Sequence, residues 1–341
     1  MQKYTVAPEQ LPDELHWFKY EAYFTFLSGF ALMGVIYYWG AESFLIDPEV
    51  AELSRFEAIL ISIGFLAGGW IIYDILCRIP IFEKNSIFLS AVIFLLILSV
   101  SWAATNLFSG RAAFVHVGAV VGSIMVANVF FVIIPNQKVV VADLIAGRTP
   151  DPSLGQEAKQ RSTHNNYLTL PVLLMMVSTH FPMIFAHEQS WIVVALILIV
   201  GGIIRDYFNR MNAGAEGRIL KWQWPSAALF MVFLILFISY DPRSLRIKDG
   251  IAPDVSEVLA ITEARCSSCH AARPSDPDFD KAPAGVRLET VEDLRKYSDK
   301  IMKQAVLTRV MPLANRTKMT RAERDILGIW IRTGMPGETK E

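Results

Sequence analysis

The sequence predicts an all-α protein of two unlike parts: a polytopic transmembrane bundle of about seven helices, then a small, soluble, helical domain. Three observations predict it. Only 19% of the 341 residues are charged against 53% hydrophobic, with a mean hydropathy of +0.36, whereas a soluble domain carries about 25% charged residues. The apolar excess ends near residue 241. Beyond it the composition inverts, with sixteen Lys/Arg and fifteen Asp/Glu from Lys248 onward. The expected boundary therefore separates 1–241 from 242–341, with Asp241–Pro253 as a short tether. A net charge of −1 without a basic block leaves no electrostatic case for a nucleic-acid partner. Three cysteines cannot build a disulfide framework.

Seven apolar stretches approach the roughly 20 residues that a helix needs to cross a hydrocarbon core. They run near 21–41, 57–77, 86–105, 112–134, 167–187, 188–207 and 222–240. The third and fourth hold no Asp, Glu, Lys or Arg from 85 to 110 and from 112 to 137. The sixth is the weakest, because Arg205 and Asp206 interrupt it. Trp39, Trp102, Trp191, Trp222 and Tyr240 fall near segment ends, where amphipathic rings favour the interface. Alternate loops differ in charge. Lys3, Lys19, Arg78, Lys84, Lys138, Arg148, Lys159, Arg161, Arg205, Arg210, Arg218 and Lys221 share one side, against Arg55 and Arg111 on the other. That bias places the N-terminus in the cytoplasm and the tail outside. Met1–Lys19 is polar and shows no cleavable signal peptide.

In the tail, helical patterns run near 254–268, 289–307 and 320–333, around a Pro/Asp-rich loop at 274–283, and Gly334 is a plausible stop. Cys266-Ser267-Ser268-Cys269-His270 is a C-x-x-C-H sequence, the haem c attachment spacing. Two thiols one helical turn apart can each add to a porphyrin vinyl group, and the adjacent imidazole of His270 then lies under the iron. A thioether on the opposite face raises the potential, so a downstream methionine is expected as the second axial ligand. Met311, followed by Pro312 and the 320–333 helix with Trp330, resembles the ligand loop and closing helix of small class I cytochromes c. Met302, Met319 and Met335 compete less well. Zinc would need more Cys or His than the tail holds beyond His270. A redox dithiol would sit in a βαβ context, which is absent. Haem c is attached outside the bacterial cytoplasm, in agreement with the charge bias. The expected location is thus a bacterial inner membrane, multi-pass, with the cytochrome c domain periplasmic.

Polar residues also occur where lipid-facing helices should have none: His116, Ser123 and Asn128 in the fourth segment, His164, Asn165, Asn166, Tyr167 and Thr169 opening the fifth, and His180 and His187 closing it. Such residues face the bundle interior and mark a pathway or a ligand, or simply join neighbouring helices. Gly118 and Gly122 suggest close helix packing. Asp74, Arg205 and Asp206 suggest an ion network at the inner face. No phosphate-binding glycine loop, H-E-x-x-H or nucleophile elbow occurs.

Three runs carry a family resemblance: Phe130–Gln137, Val141–Arg148, and Arg161-Ser-Thr-His-Asn-Asn-Tyr-Leu-Thr-Leu-Pro171. They look like the bacterial membrane-bound urate hydroxylase (urate oxidase) family, which places a membrane domain before a cytochrome c domain. The resemblance extends to Met311-Pro-Leu-Ala-Asn315. It implies oxidation of urate to 5-hydroxyisourate in purine catabolism. Electrons would leave through the fused haem c to a respiratory-chain cytochrome c or terminal oxidase, not to oxygen as peroxide. The family begins with a further transmembrane helix, so the natural protein is expected to start upstream of Met1.

Urate is a flat, mostly monoanionic heterocycle at neutral pH and calls for amide, imidazole and cationic partners. His164, Asn165, Asn166, Asn136, Gln137 and Arg161 bracket a 135–166 loop that could supply them. A histidine could serve as the base. His116 and His180 are expected at a common depth, roughly 5–12 Å below the outer surface at 1.5 Å per residue. There they would bind urate, ligate a second, non-covalent haem, or merely join helices. The competing function is a membrane-anchored cytochrome c carrying electrons from a quinol-oxidising complex to a terminal oxidase; so many helices argue against a mere anchor.

Overall fold

The computed structural model describes residues 18–187, 189–212, 222–240 and 251–337, and every regular element among them is helical. The side chains of Lys3, Lys19, Lys84, Arg218 and Lys221, and the 241–250 stretch of the tether, lie outside the described residues. The bundle comprises α1 (Phe18–Met33, continued by a wide turn over Gly34–Trp39), α2 (Arg55–Arg78), α3 (Ser86–Thr105), α4 (Gly110–Ile145), α5 (Pro152–Ser178), α6 (Ser190–Asn212) and α7 (Gln223–Ser239). Their starts follow from the sequence. Ser54 and Glu57 close a capping box on α2, Asn85 and Ser109 cap α3 and α4, and Asp151 caps α5 ahead of Pro152. Each cap satisfies backbone N–H groups that a helix start leaves free.

Among the described residues, five helices are long and apolar enough to cross a membrane: Tyr20–Trp39, Arg55–Arg78, Ser86–Thr105, Gly110–Ile145 and Ser190–Asn212. The other two expected segments differ. The seventh is a 17-residue apolar helix, Gln223–Ser239. The fifth is divided, because α5 stops at Ser178 and a separate turn, Pro182–Phe185, follows. Pro182 cannot donate to the preceding turn, and Phe181 before it is drawn out of the helical region.

The expected 135–166 loop is not a loop. Helix α4 runs through it to Ile145, and α5 begins at Pro152, so only a short turn around Gly147 separates them. At 36 residues α4 spans about 54 Å, well beyond a hydrocarbon core of roughly 30 Å. Pro135 is accommodated without a break because Asn128–Ile133 forms a wider turn just before it, where the proline ring would otherwise meet the preceding carbonyls.

Buried side chains of α2, α3, α4 and α6 form one core, including Tyr73, Leu89, Ile97, Phe114, Val121 and Ile197. Close approaches hold α5 in place: a Cβ on Gly118 would lie 3.3 Å from Met175, and one on Gly201 only 2.8 Å from Pro171. A Cβ on Gly122 would meet nothing, so the small-residue pair does one job, not two.

The tail builds a second core from Val258, Leu294, Val306, Met319, Leu327 and Trp330. It comprises α8 (Val255–Arg265), α9 (Val291–Lys296, continuing after a kink as Ser298–Leu307) and α10 (Arg321–Arg332). Gly334 ends α10 at a φ of +88°, a left-handed position that only glycine takes without strain. Val310 packs against the bundle core, so the 308–314 strip seats the tail on the bundle end that carries Phe44, Ser109 and Phe185. Arg55 and Arg111 start helices at this end, whereas Arg78, Arg148, Arg161, Arg205 and Arg210 lie toward the opposite end.

Candidate functional site

Cys266 ends α8 and begins the short turn Ser267–His270, which sets Cys269 and His270 one turn further on. Both thiols are free. Burial pushes the Cys266 thiol up to about 11, and burial also raises that of Cys269, so both stay protonated at neutral pH. His270 Nδ1 lies 2.8 Å from the Val286 carbonyl, an acceptor, so Nδ1 carries the proton and Nε2 is left with its lone pair. This is how proteins orient an imidazole that must ligate a metal.

Cys266, Cys269, His270 and Met311 line one cavity of about 700 Å³, within the usual range for a cofactor pocket. Its walls are chiefly apolar, with Val286, Leu288, Ile301 and Leu313 among them. Met302, Met319 and Met335 do not line it; Met319 is wholly buried in the tail core. The Met311 strip is held from behind by Arg324, 2% exposed, whose Nη1 donates to the carbonyls of Met311 (2.7 Å) and Ala305 and whose Nη2 donates to Asn315 Oδ1. Four bundle residues, Arg111, Thr179, His180 and Pro182, complete the cavity wall.

His116 is not at that wall. It is fully buried, with Nδ1 2.7 Å from the Ala112 carbonyl and Nε2 2.7 Å from Ser62 Oγ. Nδ1 therefore donates, Nε2 accepts from Ser62, and Ser62 accepts from the Tyr38 hydroxyl at 2.8 Å. Both ring nitrogens are engaged between packed helices, while His180 is exposed at the mouth of the other cavity. The two histidines expected to act together are thus apart in environment.

The His164-Asn165-Asn166 sequence is split, because successive helical residues point about 100° apart. His164 and Asn165 face α2 and α4. Asn128 Nδ2 donates to both the Tyr73 hydroxyl and Asn165 Oδ1 at 2.9 Å, Asn165 Nδ2 donates to the Met125 carbonyl, and Tyr73 donates onward to His164 Nδ1 at 2.7 Å. Asn166 faces α6 instead and accepts from Arg205. Beside this chain, Arg161 is fully buried, stacked on the Tyr73 ring at 5.2 Å and paired with Asp74 at 2.7 Å. Asp74 also binds Arg78. Asp206 forms a separate group with Arg210, Tyr167 and Gln223, so the expected single ion network is two. Asn136 bonds to Glu157 and lies apart from His164.

Sequence reasoning missed Tyr73, Arg111 and Arg324. Tyr73 lies one position before Asp74 and four before Cys77, on the α2 face that meets α5, and that spacing was a readable signal. Nothing in the linear sequence ties Arg324 to Met311, since the link is side chain to backbone.

Comparison with known proteins gives one match. Residues 1–239, well over half the chain, match the family model described as urate oxidase N-terminal. No curated protein and no solved structure matches.

Proposed function

The chain belongs to the urate oxidase N-terminal family, and from that premise we propose that it oxidises urate to 5-hydroxyisourate and sends the electrons out through a haem c in its tail. Membership carries a urate-related, oxidoreductase function, and the long apolar helices are those of a membrane protein. The rest is our reading. The reaction adds the oxygen of water to urate and releases two protons and two electrons. A haem c, when bound, supplies a one-electron acceptor that passes those electrons on, one at a time, to a respiratory-chain cytochrome c or terminal oxidase.

The observation that carries this reading is the single cavity lined by Cys266, Cys269, His270 and Met311. The donor set fits the group: two thiols for the vinyl positions, an imidazole whose Nδ1–H is fixed by Val286, and a thioether whose loop Arg324 holds. A chiefly apolar lining of this kind would limit the access of water to a haem iron held there. In this reading 1–241 is the membrane domain in a bacterial inner membrane, and 242–341 is a periplasmic cytochrome c domain.

The test is a membrane preparation from cells making the full chain. Urate should reduce the haem c α-band without forming peroxide. A preparation whose haem answers to quinol but never to urate would instead support the electron carrier.

A further inference from the structure

A second cavity lies beside the first. It measures about 450 Å³ and opens between the tail-facing end of the bundle and the 308–314 strip. Arg111, Val310 and Leu313 line both cavities, so the two are neighbours that share these residues. The character changes from one to the other. The second cavity is lined by Thr105, Asn106, Ser109 and Ser190, and by charged groups of both signs: Arg111, Arg309 and Arg321 against Asp47 and Glu49.

Two groups in this lining lack what buried polar groups normally have. His187 is 7% exposed, and its ring lies against that of Phe237 at 4.6 Å. Its Nδ1 accepts the backbone N–H of Gln189 at 3.1 Å, so in the neutral ring the proton sits on Nε2. That Nε2 has no hydrogen-bond partner, although buried donors nearly always find one. Arg111 is partly buried with its guanidinium over the Phe185 ring at 5.5 Å, and no carboxylate pairs with it among the described residues. The backbone fixes the two relative to each other: a Cβ on Gly110 would meet the Phe185 carbonyl at 3.0 Å, so the start of α4 is pressed against the segment that carries His187.

We propose that this cavity is the urate site, with Arg111 as the cationic partner of the purine anion and His187 Nε2–H as a second donor to it. The proposal rests on the functional reading above and gives that function a place. The carbonyl oxygens of a purine monoanion would meet the two donors left unanswered, one of them a cation. His187 acts here as a donor and not as the base, because the Gln189 N–H already occupies its lone pair. The placement also suits the electrons, which need only pass the shared Arg111, Val310 and Leu313 to reach the cavity of the cysteines and His270. His164 lies about 21 Å along α5 from Ser178, at 1.5 Å per residue, and its Nδ1 is already bonded.

The experiment measures urate binding to the purified, detergent-solubilised full chain, with haem kept reduced and oxygen excluded so that no turnover occurs. Arg111→Ala should weaken binding at least about tenfold, the usual size of a lost charged hydrogen bond. Arg111→Lys should recover part of that, and His187→Gln, which keeps an N–H, should bind better than His187→Phe. The haem absorption bands should be unchanged in the two His187 variants, because His187 does not line the haem cavity. Tyr73→Phe, at the far end of the bundle, should bind urate as the natural chain does. If the natural chain binds urate and Arg111→Ala and His187→Phe bind it equally well, the site is wrong and the function stands. Weakened binding only in variants that also lose haem would overturn the site as well. If the natural chain neither binds nor oxidises urate, both readings fall together.

Discussion

The two ends of the bundle place an arginine and a histidine in different surroundings, one a packed interior and the other a cavity wall. Away from the tail, Arg161 is sealed from solvent but meets Asp74 at 2.7 Å and the face of Tyr73, which belongs to a continuous hydrogen-bonded chain through Asn128, Asn165 and His164. Facing the tail, Arg111 and His187 line an open polar cavity, and the Nε2 of His187 is unanswered. Polar groups paired inside a packed interior hold helices together even where single atoms are left over, as Arg161 Nε and Nη1 and Asn128 Oδ1 are. Polar groups left unsatisfied beside a cavity wait for something that is not part of the chain. The difference separates architecture from function more sharply than the residue types do, since both ends carry an arginine and a histidine.

The largest effect that would sharpen this contrast is at the closed end. Asp74→Ala removes the nearer counter-charge of a fully buried arginine and leaves only Glu157, 4.0 Å away and partly exposed, and breaking such a pair costs about 3–5 kcal/mol. Thermal unfolding in detergent should show a large drop. Arg111→Ala, at the open end, should change stability by no more than roughly 0.5 kcal/mol, as for other sites outside a packed network. Equal losses in the two variants would erase the distinction.

The tail contains its own buried arginine, and it offers the next largest effect. Arg324 faces carbonyls and an amide, not a carboxylate, so Arg324→Gln strips donors from the Met311 strip at about 1–3 kcal/mol for each acceptor left unsatisfied. The covalent haem should remain while the absorption band of methionine–iron ligation weakens. Met311→Ala should abolish that band and Met302→Ala should leave it intact, because only Met311 lines the cavity. A full-strength band in the Met311 variant would refute the ligand assignment.

Much of this was legible in the linear sequence. The Ser86–Thr105 helix coincides with an uncharged run, and Thr320 with Glu323 marks the start of α10 as a capping box. The C-x-x-C-H sequence located the apolar cavity, since adjacent residues on one turn cannot be far apart. What failed to show were features set by three-dimensional contact. Helix α4 continues through Pro135 because a wide turn absorbs the ring, which periodicity does not reveal. His164 and Asn165 stood out as polar residues, yet their partner Tyr73 comes from another helix. His187 read as one more polar residue at a segment end. Its importance lies in a missing partner, and absence of a contact has no linear signature.

The smallest effect concerns a charge pair that solvent can reach, and it tests whether burial is what makes the Asp74–Arg161 pair large. Glu323 caps α10 through Thr320 and also accepts from Arg265 at 2.9 Å, tying α10 to the last residue of α8, directly before Cys266. Burial alone would raise its pKa, but hydrogen bonds from Arg265 and the Thr320 N–H outweigh burial and hold the carboxyl below its usual range. A carboxyl depressed in the folded state contributes its full stabilisation above the unfolded value, about 4.3 for glutamate, and loses it as pH falls through the lower folded value. The side chains are 27% and 20% exposed, so screening keeps the contribution under about 1 kcal/mol. Melting of the haem-loaded full chain, followed at the haem absorbance, should lose a little stability between about pH 5 and 3. Glu323→Gln should be slightly less stable than the natural chain at neutral pH and should lack that share of the acid loss. An acid profile identical in shape for the two would show that this pair contributes nothing to the pH dependence, and that the last turn before Cys266 is held by packing and by the hydrogen bonds between Arg265 and Thr317.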